Sequence, residues 1–194
     1  FTEWEHWFLV QTYLEEYEPI RSLGSKKSLF LETRPKKEKV EAYLRINFEI
    51  VTKLAEIIDR LHNHKVIWGD ISFNNILVHP KTNDLKIIDL ESAIIPELAN
   101  HPRIVTPGFF ARKAQSNKLP TEADDYFGVG AILLYLLCHA NLLMGLKPNV
   151  GTEFLAEMVC DLGIPKDISR IVKRLCAKIP SKRPKPSAVF SRYS

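Results

Sequence analysis

Cysteine is scarce in this chain and widely scattered. The 194 residues include three, Cys138, Cys160 and Cys176, with no Cys-x-x-Cys pair and no neighbouring histidine at ligand spacing, which argues against a disulfide scaffold or a zinc module. They read as buried thiols of a reduced, cytoplasmic protein. Long apolar runs are lacking as well. Residues 127–138 are apolar but too few to span a bilayer, and they end at His139, Ala140 and Asn141, so a buried core helix and no membrane partner are expected. Residues 1–6 carry acids and no basic start, so no signal peptide is expected. An excess of one charge is missing too: 27 Lys and Arg stand against 23 Asp and Glu, interspersed, for a net charge of +4. That balance argues against a dedicated nucleic-acid binder. The local basic stretches, Lys26-Lys27, 36–39 and 182–185, read as solvated faces.

What is present is enough to bury one full core. The hydrophobic share is 45% and the length suits a single domain. The chain is organised around residues 62–93. An apolar run, Lys65-Val66-Ile67-Trp68, leads to Gly69-Asp70, and Asn75 follows five residues after that Asp. A short strand (76–78), a turn rich in Pro, Lys, Asn and Asp (80–84) and a second strand (85–88) come next, and the second strand ends in Asp89.

Phosphoryl transfer needs a carboxylate beside the attacking hydroxyl and oxygen ligands for magnesium near the phosphates. A hairpin between Asn75 and Asp89 brings both, together with Asp70, to one end of the strands. The spacing resembles the catalytic and magnesium-binding loops of the protein-kinase superfamily. That resemblance implies Asp70 and Asn75 as catalytic residues, Asn75 and Asp89 as Mg2+ ligands, ATP or GTP as phosphoryl donor, and Leu77 and Ile88 among the nucleotide contacts.

There are departures within the same stretch. Trp68-Gly69 replaces His-Arg before the Asp, Ser72 replaces the usual Lys two residues after it, and Leu90-Glu91 replaces Phe-Gly after Asp89. A similar loop and strand end occur in aminoglycoside and choline kinases. A small-molecule kinase is therefore one alternative, and a catalytically inactive kinase-like binding scaffold is another.

Elsewhere the resemblance continues. Residues 8–10 read as a short strand running into a hinge, where Thr12, Tyr13 and Leu14 would meet an adenine. Residues 17–31 read as a short helix and loop, and 32–39 as a charged connector. Apolar residues from Val40 to Leu61 recur at three- and four-residue steps, the mark of an amphipathic helix over 40–62 that delivers the catalytic loop. Thr106-Pro107-Gly108 resembles the turn forming a kinase's peptide-binding wall. Asp125 opens a pattern resembling the central helix, whose first Asp supports the catalytic loop. Arg183 resembles the late Arg that pairs with an activation-segment Glu; Lys113 stands where that Glu would be, so Arg183 is expected to turn to Glu122, Asp124 or backbone carbonyls of the activation segment. Thr152 and Asp167 read as helix N-caps, and Gly163 as a stop.

The resemblance implies a mainly α (α+β overall) fold: a kinase-like C-lobe with a hinge segment and a short β-hairpin at the catalytic loop, the N-lobe largely absent. Residues 1–16 would be the last N-lobe strand and hinge, and 17–194 the C-lobe, a fragment of a larger multi-domain chain. Without a Gly-rich loop and a strand Lys, such a fragment is expected to be inactive alone. Its partners would be the nucleotide, the N-lobe and further domains of the parent. The combination Gly69-Asp70-x-Ser72, Ile88-Asp89-Leu90-Glu91 and Thr106-Pro107-Gly108-Phe109-Phe110 looks like the kinase domain of class III or IV lanthionine synthetases. That implies Ser/Thr phosphorylation of a precursor peptide before elimination and ring closure.

Overall fold

A computed structural model describes residues 2–3, 6–7, 12–23, 29, 32, 34–98, 106–111, 119–139 and 150–191. The fold is mainly α with two small antiparallel sheets. Strands β1 (Thr2–Glu3) and β2 (His6–Trp7) pair as Thr2↔Trp7 and Glu3↔His6. The second sheet has the order β3 (Glu18–Pro19), β4 (Ile76–Val78), β5 (Leu85–Ile87). The strand expected over 8–10 lies outside the described residues.

Helix α1 (Lys37–Asn63) forms because apolar side chains return every three or four positions, and Val40, Tyr43, Phe48, Val51, Leu54 and Ile58 are all buried. It begins three residues before the apolar pattern does, since Lys37, Glu38 and Lys39 carry no periodicity. Exposed pairs at i,i+4 line its outer face, Lys37 with Glu41 at 3.6 Å and Lys53 with Glu49 at 2.7 Å. The Lys53 ammonium also donates to the carbonyls of Thr82 and Asn83, at 3.0 and 3.1 Å. This ties the tip of the β4–β5 hairpin to the helix.

The segment expected as helix and loop over 17–31 instead opens with strand β3, which pairs Glu18 with Val78 and Pro19 with Leu77. Its partner lies about sixty residues downstream, so no local pattern announces it, and Pro19 is tolerated because β3 is an edge strand. The Tyr17 hydroxyl donates to Asp84 at 2.6 Å. That bond raises the Tyr17 pKa and lowers that of Asp84.

Helix α2 (Glu122–Cys138) is the central element, with 12 of its 17 residues buried, so other elements must cover it on nearly every side. It packs against α1, α3 (Val150–Asp161) and α4 (Lys166–Leu175). The Tyr43 hydroxyl of α1 donates to the Leu136 carbonyl, and burial pushes its pKa up to about 12. A 3-10 turn (Pro180–Lys182) and α5 (Pro186–Phe190) follow, with Lys185 bonded to Asp59 of α1 at 3.1 Å. Among the described residues no helix is long and apolar enough to cross a membrane.

Two capping expectations are corrected. Thr152 lies inside α3, because Val150 and Gly151 are already helical and leave it no cap to make. The N-cap of α4 is Pro165. Asp167 falls in the first turn, where its charge still complements the helix dipole. Gly163 follows the end of α3 with φ +69, a left-handed stop as expected.

Gly128 lets α2 and the Asp70 loop touch. A Cβ there would lie 2.6 Å from the Cβ of Ile71, far inside contact distance. Ala is worth up to about 1 kcal/mol over Gly inside a helix, whereas overpacking costs about 1–3 kcal/mol. Gly128→Ala should therefore lower the urea midpoint. A midpoint at or above the parent's would refute the close approach.

Candidate active site

The Asp70 loop hangs from one buried carboxylate. Asp125, 1% exposed at the start of α2, accepts the backbone N–H groups of Trp68 (2.9 Å) and Gly69 (2.8 Å). Its Oδ2 also lies 2.8 Å from His62 Nε2. A carboxylate only accepts, so the proton sits on Nε2. Glu122 Oε2 is 3.8 Å from the other ring nitrogen and accepts from the Tyr126 hydroxyl at 3.0 Å. Burial and that carboxylate raise the Tyr126 pKa well above the usual phenol range. Trp68 is fully buried beneath the loop, and its carbonyl accepts from Ser92 Oγ at 3.0 Å. Reciprocal bonds between Ile67 and Ile94, at 2.9 and 2.8 Å, stitch the two sides of the site together.

On this support Asp70 is held from two directions. Its Oδ1 accepts the Thr106 backbone N–H at 2.6 Å, and its Oδ2 accepts the Thr106 hydroxyl at 2.8 Å. From the other side, Asn75 Nδ2 donates to the Asp70 carbonyl at 3.1 Å and reaches Oδ2 at 3.4 Å. Asn75 is buried, and its own carbonyl accepts from Ile88 N–H at 3.0 Å, fixing it to the segment that leads from β5, which ends at Ile87 rather than Ile88, into Asp89. Asp89 is exposed and sits at φ +58, a left-handed conformation that Asp and Asn tolerate better than most residues.

Thr106, Pro107 and Gly108 form a tight turn closed by Phe109 N–H to the Thr106 carbonyl at 3.2 Å. Gly108 has φ +86, the value that a type II turn, which favours Pro at its second position, requires of its third. Phe109 anchors the turn, edge-on to Phe73 at 5.0 Å, while Phe73 stacks on Tyr135 of α2 at 4.9 Å. Asp70, Asn75 and the turn from Thr106 to Gly108 therefore share one scaffold.

The other expected positions are less convergent. Thr12 and Tyr13 are exposed, and the Leu14 carbonyl accepts from Tyr17 N–H at 3.1 Å. Leu77 on β4 and Ile88 after β5 are both half-buried. Ser72 is fully buried, its hydroxyl without a hydrogen-bond partner among the described residues. Arg183 is buried: Nε donates to the Ala177 carbonyl (2.8 Å) and Nη1 to that of Ala123 (2.7 Å), 3.6 Å from Asp124 Oδ1. Its guanidinium lies over the Phe127 ring at 5.1 Å. It thereby ties the segment after α4 to the start of α2, next to Asp125. Lys113 lies outside the described residues.

Sequence reasoning did not single out His62 or the bond from Thr106 to Asp70. A lone His in the last turn of an amphipathic helix carries no signal of its own, and the Thr106 contact joins residues 36 apart.

Magnesium can be tested against the donors present. Asn75 spends its Nδ2 on Asp70, leaving Oδ1 as a hard oxygen ligand, and among the described residues Asp89 has only a long 3.4 Å contact from Glu91 N–H. Among the described residues no three His, Cys, Asp or Glu groups could hold a metal by themselves. Mg2+ characteristically takes one or two carboxylates plus substrate phosphates rather than an all-protein cage, so this donor set fits the ion alongside a nucleotide.

Comparison with known proteins defines the class. The protein kinase domain family matches residues 2–192, and the chain belongs to it. It is 27% identical over 155 residues to the serine/threonine-protein kinase PknK of Mycobacterium bovis, covering 74% of this chain and 14% of that protein. It is 24% identical over 162 residues to a probable serine/threonine-protein kinase of Dictyostelium discoideum, covering 80% of this chain and 17% of that protein. The chain thus spans less than a fifth of the length of these relatives. Among solved structures it is similar in fold to the ROP18 kinase domain in complex with AMP-PNP and sucrose. The TM-score is 0.58 at 18% identity, over 76% of this chain and 40% of that one.

Proposed function

We propose that this domain transfers the terminal phosphoryl group of a nucleoside triphosphate to Ser or Thr hydroxyls of a polypeptide. The observation that carries the reading is the convergence on Asp70, whose two carboxylate oxygens face the Thr106 turn while its neighbour Asn75 is bonded to Ile88, next to Asp89. In this reading Asp70 orients the attacking hydroxyl and accepts its proton. An aliphatic hydroxyl already donates to its Oδ2 at 2.8 Å, a suitable distance for that role. Asn75 Oδ1 and Asp89 would hold Mg2+, which when bound neutralises charge on the phosphoryl oxygens. The wall of Thr106, Pro107 and Gly108 supports a polypeptide substrate over a small molecule.

The narrower substrate reading is a lanthionine-synthetase precursor peptide, with the phosphate later eliminated. Its support is the motif combination around Gly69-Asp70, Asp89-Leu90-Glu91 and Thr106 to Phe110. Mass spectrometry of peptides incubated with the full-length chain, ATP or GTP and Mg2+ tests both levels. A gain of one phosphate per Ser or Thr is expected; transfer to aminoglycoside or choline but to no peptide would refute the reading.

Thr106 supplies a finer test. A hydrogen bond to a charged group contributes about 1.5–3 kcal/mol, and about 1.4 kcal/mol is tenfold in rate. Thr106→Val keeps the backbone N–H bond and the shape but loses the hydroxyl, so kcat/KM should fall roughly 10- to 100-fold. Thr106→Ser should retain most activity, and equal rates for both variants would remove the hydroxyl from the mechanism.

A further inference from the structure

A concentration of positive charge lies away from Asp70. A cavity of about 470 Å³ opens between α3, α4 and the 3-10 turn, and none of Asp70, Asn75, Asp89 or Thr106 lines it. Four cations do, Arg170, Lys173, Lys178 and Lys182, with Glu153 as the one lining carboxylate. The whole chain has a net charge of only +4, so the cavity gathers positive charge that the rest of the surface balances.

The folding pattern explains how these side chains meet. Helix α4 buries Ile168, Ile171, Val172 and Leu175 against the lobe. Arg170 and Lys173, three residues apart, are therefore neighbours on its exposed face. The chain then turns through Lys178 and the 3-10 segment ending at Lys182, which brings two more cations to the same cavity. No carboxylate among the described residues lies within ion-pair distance of any of the four. Ile179, 49% exposed, and Ala156 add apolar surface beside the charge. Like charges gathered in a concavity repel one another and focus a positive potential on whatever enters.

We propose that this groove docks an acidic segment of the polypeptide substrate, several carboxylates in series beside an apolar side chain, remote from the hydroxyl that reacts. The proposal rests on the polypeptide-kinase reading above. Two features favour carboxylates over a single phosphate. Three of the four cations are Lys, point charges without the planar fork that grips one phosphate. They also come from two successive elements, helix α4 and the turn that follows it, which suits charges distributed along an extended segment. The volume matches a few side chains.

Fluorescence anisotropy of a labelled octapeptide of Glu with one central Leu, added to the full chain without nucleotide, tests docking separately from catalysis. Binding is expected, weakening as salt rises from about 50 to about 200 mM. The double variant Arg170→Glu/Lys173→Glu should lose about tenfold or more in affinity, and so should Lys178→Glu/Lys182→Glu on the turn after α4. Each variant is checked for parental far-UV dichroism, so at least one folded pair decides the matter. Lys81→Glu, on the exposed turn after β4, should bind as the parent does. Absence of binding by the parent, parental affinity in a folded double variant, or an equal loss in Lys81→Glu would overturn the proposal. So would tighter binding of a phosphoserine peptide of equal charge. Phosphorylation failing while docking persists would instead refute the catalytic reading and leave an acidic-peptide binding groove.

Discussion

Asp89→Asn in the full-length enzyme should reduce phosphoryl transfer at least as much as Asp70→Asn does. A positioned general base is worth about 10²–10⁴ in rate. A lost metal ligand withdraws charge neutralisation from every oxygen of the transferring group at once. Asn is the informative replacement at position 89 because the backbone there has φ +58, which Asn also tolerates. Its substitution removes charge without adding strain. Asp89→Ala should lose the same activity and about 1 kcal/mol of stability besides, since Ala meets the left-handed penalty in full. Glu91→Ala, removing an exposed carboxylate two residues on, should stay within about twofold of the parent, the effect expected of a screened surface charge. Initial rates at saturating nucleotide and Mg2+ decide this. Near-parental rates for both Asp89→Asn and Asp70→Asn would show that neither residue carries the chemistry.

The sequence was legible where a local period or a fixed spacing carried the information. The apolar steps from Val40 to Ile58 mark α1, and the alternation of strand and turn residues between Ile76 and Ile87 marks the hairpin that sets Asn75 opposite Ile88, one residue before Asp89. The unbroken apolar character of 127–138 marks α2 as buried. Illegible features depend on partners far along the chain. Strand β3 is two residues long and exists only because β4 offers it an edge. The Thr106 bond to Asp70 and the basic groove between α3 and α4 likewise join residues that no window of sequence shows together. Thr152 shows a different failure: a good capping residue caps only if the turn before it is not already helical, and Val150 and Gly151 are.

Arg183 sits between these cases. Its charge made a carboxylate or carbonyl partner necessary, and the burial of its side chain to 1% exposure makes several partners necessary. Ala177, Ala123 and Asp124 supply them. The same segment holds Asp124, whose carboxylate accepts the Thr121 N–H and hydroxyl at 2.9 Å each. The first turn of α2 is thus fixed from outside by Thr121 and Arg183, and from inside by the loop it carries.

Asp125→Ala should be among the most destabilising single substitutions in the lobe. The change leaves the N–H groups of Trp68 and Gly69 and the Nε2–H of His62 without an acceptor where water does not reach. Each unsatisfied buried donor costs about 1–3 kcal/mol, and breaking a buried charged network costs about 3–5 kcal/mol in all. For a domain of this size about 1 kcal/mol corresponds to roughly 2–4 °C, so the melting temperature should drop by roughly 10 °C. Asp125→Asn should fall between. Its amide oxygen can still serve Gly69 and His62 can change tautomer, but its NH2 then faces the Trp68 N–H. Activity should fall in both variants even well below their melting temperatures, because the loop that Asp125 anchors carries Asp70 one residue further on. Scanning calorimetry beside a rate assay at low temperature separates the two effects. A melting temperature within a degree or so of the parent would mean that the loop does not hang from this carboxylate. A lowered one with parental kcat at low temperature would mean that Asp70 is positioned by Thr106 and Asn75 alone.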